Sequence, residues 1–181
     1  MKEAMNEVRV SRKGADRVTS GHPWIFSSDV VKRGDADRGD AAPGDVVKVL
    51  DQRGQFLGVA HYSSTSQITL RLLSSKPETI DRGFFLKRLQ AALQHRERVV
   101  ENSDAYRLVS SEADLLPGLI VDRYGPYLVM QTLDQGMDRA RGLIADCLSE
   151  LLSPAGILLR NDAAVRKLED LPQEVGTHSG E

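Results

Sequence analysis

The chain has 181 residues, of which 40% are apolar and 28% charged, the profile of a soluble globular protein of one domain or two small ones. No apolar run nears the roughly 18 residues that cross a bilayer, and the start, MKEAMNEVRV, lacks the apolar core of an export signal. The single Cys147 excludes a disulfide framework and a multi-cysteine zinc site, so a reducing, cytoplasmic setting is expected. The net charge of −2 is unevenly spread: residues 1–100 carry 17 Lys+Arg against 12 Asp+Glu (+5), and residues 101–181 carry 7 against 14 (−7). A basic first half suits a polyanion, whereas the acidic second half does not attract one by charge. Two domains that merely differ in surface composition account equally well for this split.

Residues 8–73 read as β-rich. VRVS (8–11), DVVKVL (45–50), FLGVAHY (56–62) and QITLRLL (67–73) are short runs of β-branched and aromatic residues. Gly34, Gly39, Pro43-Gly44, Gly54 and the cluster Ser63-Ser64-Thr65-Ser66 punctuate them. VVKVLDQRGQFLGVA predicts a hairpin connected by Asp51-Gln52-Arg53-Gly54, and several such strands in about 70 residues suggest a small barrel. After a linker at Ser74–Pro77, a helix is predicted over roughly 80–101, with Phe85, Leu89, Ala92 and Val99 on one apolar stripe beside Leu86, Leu93 and Val100. Asn102-Ser103-Asp104 stops it.

YRLVSSE (106–112), a strand within LLPGLIVDRYG (115–125) and YLVMQTL (127–133) follow, the last two joined tightly at Gly125-Pro126. A second helix is expected over about 135–152, with Met137, Ala140, Ile144, Cys147, Leu148 and Leu151 on one face, and GILLRND (156–162) resumes as a strand. Pro172 to Glu181 is polar with no strand signal, so the sheet is expected to end unfinished.

Catalytic chemistry is hard to find. The 15 glycines never occur as G-x-G, which excludes a dinucleotide or methyl-donor loop of that type. GDADRGD (34–40) and GDAAPGD (39–45) have phosphate-loop glycine spacing but place Asp where a cation is needed. His22, His61, His95 and His178 are scattered, with no metal-ligand spacing, so no metal is expected. Cys147 on an apolar stripe reads as a core thiol rather than a nucleophile. Glu112, Asp114 and Asp122 lie at a turn or strand end, where structural roles outweigh acid–base ones.

The densest functional candidate is RVSRKGADRVTSGHPWIFSSDVVKR (9–33), where Arg9, Arg12, Lys13, Arg17, Lys32 and Arg33 surround Trp24 and Phe26. Long cations hold phosphates and exposed aromatic faces stack bases. The competing readings are an aromatic plug for a small core and a solvated basic face.

SRKGADRVTSGHPWIFSSDV (11–30) followed by GDVVKVLDQRGQFLGVAHYSSTSQITLRLL (44–73) resembles the PUA domain of bacterial ribosomal RNA large-subunit methyltransferase I proteins. SEADLLPGLIVDRY (111–124) and RNDAAVRKLE (160–169) are similar to the same family's central β-β-α-β-β domain. The resemblance covers nearly the whole chain. It implies an α+β fold: a PUA-like β pseudobarrel over 1–76, then a helix and an incomplete β-β-α-β-β domain over 77–181, truncated at its C-terminal end. The Rossmann-like domain that carries the family's S-adenosylmethionine loop and catalytic cysteine has no counterpart in this sequence, so no catalytic or cofactor-binding residue carries over. RNA, ribosomal by resemblance, is the implied partner. The carried-over candidates for RNA binding are Arg12, Lys13, Arg17, Gly21, His22 and Trp24, with Arg71 as an addition on QITLRLL. Arg123, Arg160, Asn161 and Arg166 lie in the central motifs, where pairing with Asp122, Asp162 or Glu169 is the plainer expectation.

The expected function is thus the RNA-binding, targeting portion of an S-adenosylmethionine-dependent RNA cytosine-5 methyltransferase, inactive alone. The alternative is a non-catalytic scaffold or assembly module acting through the acidic second half, with a second copy of the chain pairing at an open sheet edge. No membrane partner is expected.

Overall fold

In the computed structural model, residues 5–31 and 41–180 are described; Lys32, Arg33 and the stretch GDADRGD (34–40) lie outside them. The chain divides into two compact units, one ending at Glu78 and the other beginning at Thr79.

The first unit contains β1 (Glu7–Arg9), α1 (Arg12–Thr19), β2 (Trp24–Phe26), β3 (Val46–Leu50), β4 (Phe56–Tyr62) and β5 (Ile68–Ser74). They form one sheet in the order β1-β3-β4-β5-β2, with β1 parallel to β3 and the other pairs antiparallel. The expected hairpin is present: Asp51 N–H donates to the Gln55 carbonyl at 2.9 Å, and Gly54 at φ +84° closes the turn. A left-handed residue there suits glycine. Beyond β2 the chain reaches the opposite edge of the sheet. There Val30 bridges Val10, and Val31 N–H donates to Arg9 O at 2.9 Å. Strand alternation turns Val8, Val47, Val49, Ala60, Tyr62, Leu70 and Ile25 onto one face, where with Val10 they make the core. Each fully buried aliphatic side chain contributes about 1.5–3 kcal/mol there.

VRVS does not run on as a strand. Ser11, still extended, is an N-cap, its Oγ accepting from Gly14 N–H at 3.2 Å, and a helix that the sequence reading does not anticipate follows. Helix α1 packs through Gly14, where an added Cβ would lie 3.0 Å from Val10 Cβ and 3.2 Å from both Asp29 Cβ and Asp29 O.

The second unit opens with α2 (Arg82–Val99), N-capped by Asp81 through the Phe84 N–H at 3.1 Å. Phe84, Phe85, Leu89 and Ala92 are its buried residues; Val99, expected on the stripe, is 57% exposed because it sits in the last, solvated turn. Then come β6 (Ala105–Ser110), β7 (Leu119–Tyr124), β8 (Tyr127–Thr132), α3 (Gln135–Arg139), α4 (Arg141–Leu152), β9 (Gly156–Asn161) and β10 (Glu174–Gly180). The helix expected over 135–152 is broken at Ala140, which ends α3 and starts α4. Cys147 is buried in α4 with Ile144 and Leu148, as a core thiol.

The sheet of this unit runs β10-β9-β8-β7-β6, with β8 and β9 parallel around α3 and α4 and the remaining pairs antiparallel. The expectation that Pro172 to Glu181 adds no strand and leaves the sheet unfinished is therefore corrected: β10 pairs with the full length of β9, Glu174 opposite Asn161 and Gly180 opposite Gly156. Its strand signal is missing because nearly every residue of β10 is exposed, so no burial enforces a hydrophobic alternation. Gly180 also fits a place no side chain could occupy, since a Cβ there would lie 2.1 Å from Ala155 O.

Candidate nucleic-acid interface

Helix α1 decides where the predicted basic residues go. At its C-terminal end Gly21 takes φ +86°, His22 N–H donates to Arg17 O and Gly21 N–H to Val18 O, both at 3.0 Å. This is a Schellman stop, and it explains Gly21 without any ligand. The chain then turns directly into β2. His22 Nδ1 accepts the Trp24 N–H at 3.1 Å, and its ring stands edge-on to Trp24 at 5.9 Å and tilted against Phe26 at 6.5 Å.

Arg17 belongs to this cluster rather than to solvent. Its guanidinium lies 5.0 Å from the Phe26 ring centre, and its Nε is 3.0 Å from Oδ2 of the buried Asp29. The cation is thus opposed by an internal acid that spacing alone did not single out. Arg71 is further inside: it is 7% exposed, faces Trp24 and His61 across the sheet, and donates Nη1–H to Ile68 O at 3.1 Å. Trp24 is half-buried. Of the seven sequence candidates, Arg12 and Lys13 are the exposed cations, while Arg17, Gly21, His22, Trp24 and Arg71 build the turn and sheet that hold α1.

Arg9, one of the cations of the basic stretch 9–33, and Arg53, which the sequence reading does not single out, join Arg12. The β3–β4 turn exposes Arg53, and Arg9 lays its guanidinium against Gly54, where an added Cβ would lie 3.3 Å from Nη1. Arg12, Ala15 and Asp16 of α1 and Asp51, Gln52 and Arg53 of the turn line a groove of about 410 Å³. The sequence signal for Arg53 was the turn itself, because a polar residue beside a left-handed glycine in a two-strand connection points to water.

Charge is less polarised than a split at residue 100 suggests. Divided at the boundary between the units, residues 1–78 hold 12 Lys+Arg against 10 Asp+Glu (+2), and residues 79–181 hold 12 against 16 (−4). Local clustering on α1 and the turn, rather than net charge, is what an anion meets.

Of the central-motif residues Asn161 and Arg166 are internal, and only Arg160 meets one of the partners expected for the group. Arg166 is fully buried; Nη1 donates to Asp138 Oδ1 at 2.9 Å, to Thr132 Oγ1 at 3.2 Å and to Thr132 O, and Nε donates to Pro172 O at 2.9 Å. Asn161 Oδ1 accepts the Thr132 N–H at 2.8 Å. Asp122 accepts from Arg107 instead of a central-motif arginine, and Arg123 donates to Gly125 O at 3.0 Å. Arg160 does lie near Asp162, at 3.6 Å. The C-terminal ends of parallel strands are where open α/β sheets take nucleotides. Here Thr132 ends β8 and Asn161 ends β9, the two are hydrogen-bonded to each other, and Arg166 donates to Thr132.

Burial pushes the Cys147 thiol above its ordinary pKa, with Arg82 opposing weakly, the reverse of what a nucleophilic thiolate needs. Among the described residues, no helix is long and apolar enough to cross a membrane.

Residues 8–75 match the model of a PUA-like domain. The chain is 40% identical over 163 residues to the ribosomal RNA large subunit methyltransferase I of Cronobacter sakazakii, covering 88% of this chain and 40% of that protein. Its Vibrio parahaemolyticus counterpart is 39% identical over 172 residues, 93% of this chain and 42% of that protein. In fold, the chain matches a protein described as "a putative sam-dependent methyltransferase from Streptococcus mutans", with TM-score 0.79 and 18% identity, over 98% of this chain and 44% of that one. A second structure, of "SMU.776, a putative methyltransferase complexed with SAH", matches with the same score over 43% of its length. The chain thus spans about two fifths of the length of the relatives it matches; over that stretch it is similar to ribosomal RNA large subunit methyltransferase I proteins, with a PUA-like domain in its first unit.

Proposed function

We propose that this chain is the RNA-recognition portion of an S-adenosylmethionine-dependent methyltransferase that makes 5-methylcytosine in large-subunit ribosomal RNA. The first unit, a PUA-like pseudobarrel, grips folded RNA, and the second is the family's central domain. The observation that carries this reading is the PUA-like match over 8–75, within relatives named as ribosomal RNA methyltransferases, combined with the exposed Arg12 and Lys13 on α1. PUA-like domains resemble one another in holding structured RNA through phosphate and shape contacts, and two solvated cations on a firmly seated helix suit that task.

Methyl transfer belongs, in this reading, to the part of the relatives' length that the chain does not span. S-adenosylmethionine would supply the methyl group there. The residues of this chain do not fit it: at the ends of β8 and β9 Thr132 is engaged by Asn161, Arg166 and Asp138, and Cys147 is buried with its thiol pKa raised.

Filter binding of the chain to bacterial large-subunit ribosomal RNA at two salt concentrations tests the reading. Affinity is expected to fall by about 0.7–0.9 log units per log unit of salt for each phosphate neutralised. Binding that is undetectable or indifferent to salt overturns it. Incubation of the same RNA with the chain and labelled S-adenosylmethionine is expected to transfer no label, and turnover by this chain alone would place the chemistry within it.

A further inference from the structure

We infer that the groove between α1 and the β3–β4 turn is where the chain takes a phosphodiester of its RNA, between the guanidinium groups of Arg12 and Arg53. This rests on the RNA-binding reading and deepens it: it moves the contact away from the His22–Trp24 turn and adds a residue from a different strand connection.

The two walls each contribute an exposed arginine to one concavity of about 410 Å³. A guanidinium offers a planar fork of donors that matches a phosphate better than a point charge does, and two such forks lining one groove hold a phosphate that either one alone holds weakly. Arg9, stacked on Gly54 behind the turn, and the exposed Lys13 on the next position of α1 raise the positive potential of the same corner. By contrast, Arg17 beside Phe26 already faces Asp29, and Arg71 is buried, so the aromatic cluster has little cationic surface to offer.

Two acids line the groove and must be weighed. Asp51 spends Oδ1 on the N–H groups of Arg53 and Gln55, at 2.8 Å each, and those amide dipoles absorb part of its charge. Asp16 is exposed on the same wall as Arg12, where it repels a phosphate. That gives the site a signature in both directions: removing an arginine weakens binding and neutralising Asp16 strengthens it.

The test is filter binding of the full chain and its variants to large-subunit ribosomal RNA, with circular dichroism confirming that each variant folds. Arg53→Gln and Arg12→Gln are each expected to weaken binding about three- to tenfold at low salt and to lower the salt slope by about one contact. Asp16→Asn is expected to tighten it by about two- to fivefold. Lys76→Gln, which removes an exposed cation elsewhere in the first unit, sets the effect of losing one charge at a distance. If the parent chain binds with a steep salt dependence but Arg53→Gln behaves like Lys76→Gln, or Asp16→Asn weakens binding, the groove is not the site while the RNA-binding reading stands. If the parent chain shows no salt-dependent binding, both fall together.

Discussion

In the first unit Arg12, Lys13 and Arg53 end in solvent, whereas in the second Arg96, Arg107, Arg141 and Arg166 each end on a carboxylate. Both units hold 12 Lys+Arg, so an inventory of cations cannot tell them apart. The difference lies in what the acids do. Asp114 accepts both ends of the Arg96 fork at 2.9 and 2.6 Å with each side chain largely buried, and Asp138 meets Arg166 in the interior. In the first unit the one comparable internal pair is, among the described residues, Arg17 with Asp29. Arginines spent on internal structure are closed to a polyanion; those on a helix face and a turn tip are open to one. The RNA-binding reading depends on that contrast.

The strongest way to break the contrast is at Arg166. If its charge is structural, Arg166→Ala leaves Asp138 without its buried cation and Thr132 O without its donor, at a cost of about 3–5 kcal/mol. Urea unfolding followed by far-ultraviolet circular dichroism, which is weighted toward α2 and α4, is expected to show that loss. A cost below about 1 kcal/mol would mean that Arg166 is no better used inside than Arg12 is outside.

A smaller effect is expected at the seat of α1. Gly14→Ala forces a methyl group to within 3.0 Å of Val10 Cβ and 3.2 Å of Asp29 O, so α1 must shift, at about 1–3 kcal/mol. Trp24 is the only tryptophan and follows α1 directly, so its fluorescence reports the unfolding of this unit. RNA affinity is expected to fall with the displacement of Arg12 and Lys13. Unchanged stability and affinity would show that α1 is not held as its packing implies.

The contrast also explains which features were legible in the sequence. The β3–β4 hairpin, α2 and the β7–β8 connection were readable because burial imposes alternation or a helical stripe on them, and a glycine marks the turns. Helix α1 was not, because its apolar contribution is confined to Gly14, Ala15 and Val18 inside a run of charges, and its one clear signal was Ser11 as a cap. Strand β10 was invisible for the related reason that it is an exposed edge. At the candidate interface Arg12 and Lys13 were legible as cations. Arg17 and Arg71 were equally so, and only the tertiary structure sets Arg17, half-buried, against Asp29 and buries Arg71 between β2 and β4.

The finest distinction concerns Arg107, which is bonded to Asp122 through Nε at 2.9 Å and Nη2 at 3.2 Å but keeps 50% of its side chain exposed. The bond to Asp122 raises the guanidinium pKa above its usual value, against a smaller desolvation effect, so the pair stays ionised wherever the carboxylate does. Water and salt nevertheless reach the arginine. The two-point geometry favours a real contribution, while exposure limits it to no more than about 1 kcal/mol. Arg107→Gln is therefore expected to destabilise the second unit by that amount or less in urea, and by still less at high salt. A loss matching that of Arg166→Ala would show that pairing alone, whatever the burial, fixes a cation's worth here. The exposure of Arg12 and Arg53 would then no longer separate them from the arginines of the second unit, and the case for a groove-bound phosphate would rest on proximity alone.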